Sequence, residues 1–304
     1  MVRAAHAFLL AACCFAAGAS AQVPTAAQAN PEELRRACAA LPATPTDALE
    51  TARRAECLLA GLVPSDKPLE EARALARAAL AKGEPAGGLL LYMAFRADPA
   101  TQVLREGKVD PEAYRRFAGR PLAQRREEIE AIEGLGFAAG RNNRAAGALL
   151  AAYFHDTLAP GNVTRLGALT ALLARNGDHG DTIRRFAREA EAIERQGSGT
   201  KASASAFLTI YNHAAAAAKA GYREQTGGRT CDEARLKSVS AGEVEGAEFL
   251  PLTGNLVAQS YLVRGHWSEF WRFQACGQEV PVKVTFEADG GGGSNSRAIH
   301  NKGA

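Results

Sequence analysis

The stretch WSEFWRFQACGQEVPVKVTF, residues 267–286, decides how the C-terminal part of the chain folds. Large apolar residues alternate with polar ones on both sides of Cys276-Gly277, which is the pattern of two half-buried strands joined by a tight turn. One face of the first strand carries Trp267, Glu269, Trp271 and Phe273, and one face of the second carries Val280, Val282, Val284 and Phe286. The sequence therefore predicts an antiparallel hairpin within a meander of three or more strands.

A change of composition near Tyr222 separates this hairpin from the preceding chain, because glycine, β-branched and aromatic residues dominate after it. We predict a small α+β domain over 222–289 and a flexible glycine-rich tail over 290–304. The domain is expected to begin with a short helix, opened by a capping box at 230–233 and ending near 236. A strand at 256–263 and a turn at 264–266 are expected to follow.

Residues 30–221 are dense in Ala, Leu, Arg and Glu, with apolar residues at helical spacing. N-capping residues, prolines at first helical positions and glycines at the ends predict ten short helices, which start near 31, 45, 68, 85, 111, 121, 143, 162, 181 and 202. The predicted fold class is mostly α. It consists of an antiparallel helical array, either solenoid-like or an irregular bundle, followed by a small disulfide-stapled antiparallel β domain.

Two segments of the helical region share a rhythm, in which a helix ends in glycine and the next carries small residues and then a Leu/Tyr stripe. They are residues 81–92 and 138–153. The rhythm resembles the Sel1-like branch of the tetratricopeptide-type solenoids, and that resemblance implies stacked helix pairs. The segment WSEFWRFQACGQEVPVKVTFEADG resembles a small domain of uncharacterised exported proteobacterial proteins, over roughly 223–293. That second resemblance implies a compartment and brings no assigned chemistry.

The N-terminus has the pattern of a secretory signal peptide over residues 1–21. A short positive start is followed by an apolar run and by Ala19-Ser20-Ala21, which predicts cleavage after Ala21 and a periplasmic or secreted protein. A lipid anchor at Cys13 is the alternative, since 10–13 fit a lipobox, but the apolar stretch before Cys13 is short for that route. The apolar start falls below the roughly 20 residues of a membrane-spanning helix, so no transmembrane span is expected.

Four cysteines remain after cleavage at Ala21, and an even number in an oxidising compartment indicates disulfides. Proximity favours Cys38 with Cys57 and Cys231 with Cys276 among the three possible pairings. The spacing contains no C-x-x-C half-site, so no zinc or other metal site is predicted.

Charge and motifs exclude several classes of protein. The formal net charge is +3, with basic and acidic residues interspersed, so no nucleic-acid partner is expected. We find no catalytic motif and no phosphate-binding loop, and we predict no cofactor. The remaining polar groups have structural interpretations. Asp178-His179-Gly180-Asp181 is interpreted as a turn, His155-Asp156 as a helix C-terminus, and His213 as a lone histidine. The sequon at Asn162 is interpreted as a helix start. The arginine run is interpreted as a solvated, paired helix face, and it consists of Arg115, Arg116, Arg120, Arg125 and Arg126.

The leading candidate surface is aromatic, and it consists of Tyr261, Trp267, Trp271 and Phe273. Two tryptophans on one face of a small sheet would offer a platform for a peptide or a glycan. The alternative is that this face is the buried one, since a sheet needs a buried face.

The predicted function is an exported binding or scaffolding protein with a protein or peptide partner. The alternative is an exported hydrolase acting on peptide or cell-wall substrates. The hydrolase would need a pocket that holds His179 or His213 beside a carboxylate.

Overall fold

The structure is a computed structural model that describes residues 30–178 and 180–301. Five features lie outside the described residues: the predicted signal peptide over 1–21, the predicted cleavage after Ala21, the possible lipid anchor at Cys13, His179, and residues 302–304. About half of the described chain is helical and a five-stranded antiparallel sheet follows, so "mostly α" overstates the helical share. Within the described ranges, no helix is both long enough and apolar enough to cross a membrane.

The described part contains ten α-helices, as the start and stop signals predicted. Asn30, Asp47 and Asp110 cap three of them, because their side chains accept hydrogen bonds from first-turn N–H groups. The helices are α1 Pro31–Ala39, α2 Ala48–Leu59, α3 Pro68–Ala81, α4 Pro85–Ala97, α5 Pro111–Ala118, α6 Arg126–Gly140, α7 Arg144–Asp156, α8 Asn162–Arg175, α9 Asp181–Gln196 and α10 Ala204–Gln225.

The chain divides into two compact units. The first contains residues 30–150 and Thr253–Val257, and the second contains 151–252 and 258–301. The composition predicts that α8, α9 and α10 lie in a helical domain that ends at residue 221. They belong instead to the same unit as the sheet, because α10 packs on the sheet and covers one of its faces.

In the first unit, α2, α3 and α4 each pack on the next, and α4 packs on α6. A small core cluster joins the first three of these helices and is rich in alanine: Ala52, Ala55, Ala76, Ala79, Leu90 and Leu91. Small side chains let the helix axes approach closely. The Cys38–Cys57 disulfide joins α1 to α2, as predicted. A two-stranded hairpin, β1 Leu104–Arg105 and β2 Lys108–Val109, precedes α5.

Helices α4 and α6 meet backbone to backbone at two glycines. A Cβ atom added to Gly88 would overlap the carbonyl oxygen of Gly134, and a Cβ on Gly134 would lie 3.0 Å from the Gly88 oxygen. Backbone atoms cannot rotate away as side chains do, so only glycine fits at this crossing.

We expect Gly88→Ala to destabilise the first unit by at least about 2 kcal/mol, because overpacking displaces the backbone of α6. Gly140→Ala on α6 is the matched control, since its Cβ would make an ordinary 3.6 Å contact with Leu256. Urea unfolding followed by far-UV circular dichroism measures both. Equal midpoints for the two variants would contradict the close contact.

An ion-pair network links α3 to the end of α4 and to α6. Arg73 donates to Asp98 over 2.6 Å, and Arg77 binds Glu130 through two hydrogen bonds of 2.6 and 2.7 Å. Burial of the Asp98 carboxyl raises its pKa, but hydrogen bonds from Arg73 and from the N–H of Ala100 outweigh the burial. The pKa of Asp98 therefore lies below its usual value.

A depressed folded-state pKa stabilises the fold above the unfolded value, near 4, and this stabilisation is lost as the pH falls below it. We therefore expect Asp98→Asn to lower the unfolding midpoint at neutral pH, with the difference from the wild type shrinking as the pH falls from about 4 towards 2. Asp66→Asn, at an exposed position before α3, is the control. A difference that stays constant over that pH range would exclude this role for Asp98.

The second unit contains the sheet. Its strands are β3 Ala234–Ala241, β4 Glu245–Phe249, β5 Leu262–Ala275, β6 Gln278–Ala288 and β7 Ser294–His300. The order is β3-β5-β6-β7, and β4 also pairs with β5. Helix α10 covers one face, where Phe207 stacks on Trp271 with ring centroids 4.7 Å apart.

The hairpin of β5 and β6 is the one that the opening stretch predicted. Ten consecutive residue pairs join the two strands, from His266–Glu287 to Ala275–Gln278. Cys276 and Gly277 form the turn with φ angles of 45° and 87°, which two-residue hairpin turns of the favoured hand require. The Cys231–Cys276 disulfide joins this turn to the segment before β3, as predicted.

Three local predictions in this region are wrong. Residues 234–236 begin strand β3 instead of ending a helix, because they pair with 273–275 of β5. Residues 264–266 lie inside β5, and a Cβ on Gly265 would come within 3.2 Å of the Ala247 Cα atom of β4. Residues 256 and 257 form a turn in the first unit instead of starting a strand, since the fully buried Val257 packs against Gly136 of α6.

The flexible tail predicted from residue 290 is also corrected. Asp289 accepts hydrogen bonds from the N–H groups of Gly291 and Gly293, which fixes the glycine-rich turn. Residues 294–300 then pair with β6 as strand β7. The composition of the glycine run concealed this strand, because pairing with a neighbouring strand orders a segment that would be flexible alone.

Candidate functional site

The aromatic cluster predicted as a binding platform is buried. Tyr261, Trp267, Trp271 and Phe273 are at most 4% exposed. Trp271 and Phe273 pack against Phe207 and Tyr211 of α10, and Trp267 stacks on Phe286. These side chains form the core of the second unit, so the prediction of an exposed platform is wrong. The physical reason is that the sheet buries the face with the larger apolar area.

Glu269 lies on this buried face and is fully enclosed. Its carboxylate accepts hydrogen bonds from Nε1 of Trp267 at 2.9 Å and from Nε1 of Trp271 at 2.8 Å. The backbone N–H of Lys201 and the hydroxyl of Thr200 donate to it at 2.8 and 2.9 Å. An ionised carboxylate only accepts hydrogen bonds, so these four donors match it in kind and number.

Sequence analysis missed this role of Glu269, although the signal was present. A carboxylate at an apolar-face position of an alternating strand is costly unless donors surround it. The two tryptophans at positions two residues away supply indole N–H groups on the same face. Trp-x-Glu-x-Trp in a strand therefore identifies a buried, hydrogen-bonded carboxylate, and this one has a structural role.

The predicted histidines do not meet in one site. His213 lies exposed on α10 and has no side-chain partner in the described part. His155 is mostly buried, stacks on Phe186, and contacts Asp156 at 2.5 Å and Glu189 at 3.0 Å through its two ring nitrogens. Both nitrogens are engaged by carboxylates, so His155 links α7 to α9. Asp178 accepts a hydrogen bond from the N–H of Gly180 at 3.1 Å.

The arginine run is not a uniformly solvated face. Arg125 is fully buried, and its guanidinium donates to the carbonyl oxygens of Ala118 and Arg120 at the end of α5. Arg120 pairs with the buried Glu128 at 2.7 Å. The backbone carbonyls left free at a helix end explain why an arginine lies inside here.

The sequon residue Asn162 begins α8, as predicted. It is fully buried, and its amide donates to the carbonyls of Thr157 and Ser260. These hydrogen bonds leave its nitrogen inaccessible for modification.

One surface with exposed large apolar side chains is the sheet face opposite α10. Phe270 is 40% exposed and Ile299 is 43% exposed. The register pairs Phe270 with Lys283 and Lys283 with Ile299, so the three side chains form one row across β5, β6 and β7. The solvent face of an antiparallel sheet is normally polar, and this row departs from that pattern at two of its three positions.

Basic side chains surround the row. The register places Lys283 of β6 and Arg297 of β7 on this side, and Lys237 is exposed at the bulge of β3. None of the three has an ion pair among the described residues. Arg272 also lies on this side and is paired with Glu279 at 3.0 Å. We call Lys237, Phe270, Lys283, Arg297 and Ile299 the outer basic face. It combines apolar area with an excess of positive charge, and Glu287 of β6 is an exposed carboxylate on the same side.

Another surface feature is a groove in the second unit. A shallow groove between α8 and α9 is lined by alanines, threonines, Gly167, Glu191 and Glu194. Small side chains of this kind also result from close helix packing, so the groove identifies no ligand. In the described ranges, no group of three His, Cys, Asp or Glu side chains is arranged to hold a metal ion.

Comparisons with known proteins found no matching family profile, no matching curated protein and no matching solved structure. The Sel1-like rhythm and the resemblance of the C-terminal segment to an exported domain therefore stay predictions.

The Glu269 site generates a stability prediction. Glu269→Gln puts an NH2 group against N–H donors, so we expect a loss of about 3 kcal/mol from unsatisfied buried groups. Glu279→Gln is the control, because an exposed ion pair contributes less than about 1 kcal/mol. Both tryptophans of the chain contact Glu269, so tryptophan fluorescence during denaturation reports on this unit. Similar midpoints for the two variants would refute the role of Glu269.

Proposed function

We propose that the protein is an exported, disulfide-stabilised binding protein that contacts a polypeptide partner through the outer basic face. The observation that carries the proposal is the row of Phe270, Lys283 and Ile299. An exposed aromatic and an exposed aliphatic side chain offer area that a partner can bury, and burial of apolar area drives association. The adjacent unpaired cations add electrostatic selection.

Export is part of the proposal and rests on two supports. The N-terminal pattern is that of a signal peptide, and the two disulfides are compatible with an oxidising compartment. The Cys231–Cys276 bond holds the turn of the same hairpin that carries Phe270. A rigid hairpin loses little conformational freedom on binding, which favours affinity.

The alternative, an exported hydrolase, has weaker support. His155, His266 and His300 each have a carboxylate partner. The described hydrogen bonds of the His155 and His300 side chains go only to those carboxylates. Acyl transfer requires a nucleophile within hydrogen-bond reach of the base. We therefore favour the binding function.

The proposal predicts a position-specific crosslink. A photoreactive phenylalanine analogue at position 270 should capture a partner polypeptide when the exported chain is irradiated in its own compartment. Lys283→Glu in the same chain should lower the yield at least fivefold, because it reverses the charge beside the analogue. The analogue at position 208 is the matched control, since Leu208 is 39% exposed on α10, away from the face.

Mass spectrometry of the conjugates measures the yield. Equal capture from positions 270 and 208, or capture that is insensitive to Lys283→Glu, would contradict the proposed contact surface. Correct disulfide pairing, checked by non-reducing peptide mapping, shows that each variant is folded.

A further inference from the structure

Strand β7 is paired on one edge only. Its residues, Ser294–His300, join β6 in an uninterrupted antiparallel register. β7 stands last in the strand order, and no further strand lies beyond it in the described part of the chain. The backbone N–H and C=O groups along such an edge are a template for another strand.

Most of the usual devices that protect a sheet edge are missing from β7, and its one charged side chain before His300 is Arg297. Natural edge strands carry prolines, charged side chains (lysine above all) or bulges that prevent pairing with another chain. The sequence of β7, SNSRAIH, contains no proline, lysine or carboxylate, and its register with β6 has no irregularity. At roughly 3.3 Å per residue the edge is about 23 Å long, which is enough for a short extended peptide.

Charge selects the kind of peptide. Asn295, Arg297 and Ile299 point from β7 towards the outer basic face. A side chain on an added strand would stand about 4.5–5.5 Å from its neighbour on β7. A carboxylate beside Arg297 would compensate the unpaired guanidinium, and an aliphatic side chain beside Ile299 would cover its exposed surface.

A second copy of this chain fits the same edge poorly. Arg297 is the central residue of Ser294–His300. A two-fold antiparallel pairing of β7 with its counterpart would therefore place two arginines directly opposite each other. Like charges in that position destabilise a strand pair.

Resting on the proposed function, we propose that the partner is an acidic polypeptide whose extended segment adds to β7 as a further strand. The recognised pattern is a carboxylate flanked, two residues away, by aliphatic side chains. The backbone of the segment pairs with the edge of β7, and its carboxylate and aliphatic groups contact Arg297 and Ile299.

The test uses the oxidised full chain and two synthetic peptides. One carries Val, Glu and Val at alternate positions separated by Ser and Thr, and the other has Lys in place of Glu. We expect the Glu peptide to bind at least tenfold more tightly by fluorescence anisotropy, with a preference that weakens at high salt. Arg297→Glu should reverse the preference, and Lys283→Glu should reduce it.

Backbone pairing is tested separately. In an added strand, alternate N–H groups of the peptide face β7. N-methylation of one alternate set should abolish binding and N-methylation of the other should not, while bound peptide slows hydrogen exchange of the β7 amides. Equal effects of both sets, or no protection of β7, would refute strand addition.

The outcomes separate this inference from the proposed function. If both peptides bind equally or neither binds, while the crosslink from position 270 persists, strand addition fails and the binding function stands. If the crosslink fails while the Glu peptide shows the predicted pattern, the proposed contact through Phe270 fails and strand addition stands. Dimers that protect β7 without peptide, detected by light scattering, would identify a second copy as the occupant and overturn the inference.

Discussion

The second unit depends on one buried carboxylate. Glu269 accepts hydrogen bonds from the indole N–H groups of Trp267 and Trp271 and from the two donors at residues 200 and 201. A buried donor or acceptor without a partner costs free energy comparable to a lost hydrogen bond. The carboxylate therefore needs these donors, and the donors need the carboxylate. Together they hold residues 200 and 201, which lead into α10, against strand β5.

This carboxylate also fixes the register of the sheet. Side chains alternate between the two faces of a strand, so a slip by one residue exchanges the faces completely. Such a slip in β5 would bury Arg272 and expose Glu269 with both tryptophans. The Cys276-Gly277 turn and the Cys231–Cys276 bond select the same register from the other end of the hairpin. Independent local constraints that agree in this way specify a single structure.

The sequence predicted much of this architecture, because its strongest signals are local. Helix caps and prolines predicted the ten helices, and the two-residue alternation of apolar and polar side chains predicted the hairpin of β5 and β6. The predictions that failed depended on partners outside the segment itself. Val257 enters a turn because glycine at position 136 of α6 makes room for it, and β7 is a strand because β6 lies beside it.

The candidate site shows the same limit at the level of side chains. The alternation in β5 showed that Trp267 and Trp271 share a face with Glu269, and it left open which face is buried. Helix α10 determines which face is buried, because its Phe207 and Tyr211 pack against the face that carries Trp271. Sequence analysis therefore selected the aromatic residues of the core as the candidate surface. Phe270, on the other face, drew no attention because it is a single aromatic among polar neighbours.

Side chains alternate between the two faces of β5, so the inward direction of Glu269 determines which residues lie on the outer face. Once Glu269 points inward, Phe270 must point outward, and the register places Lys283 and Ile299 in its row. The strand preference of Phe and Ile explains why these residues stabilise a sheet, but it does not explain the unpaired cations Lys283 on β6 and Arg297 on β7. Those cations add nothing to the core and repel one another across the face. The proposed anionic partner would relieve that repulsion and cover the two apolar side chains at once, so one contact would account for both departures from an ordinary solvent face.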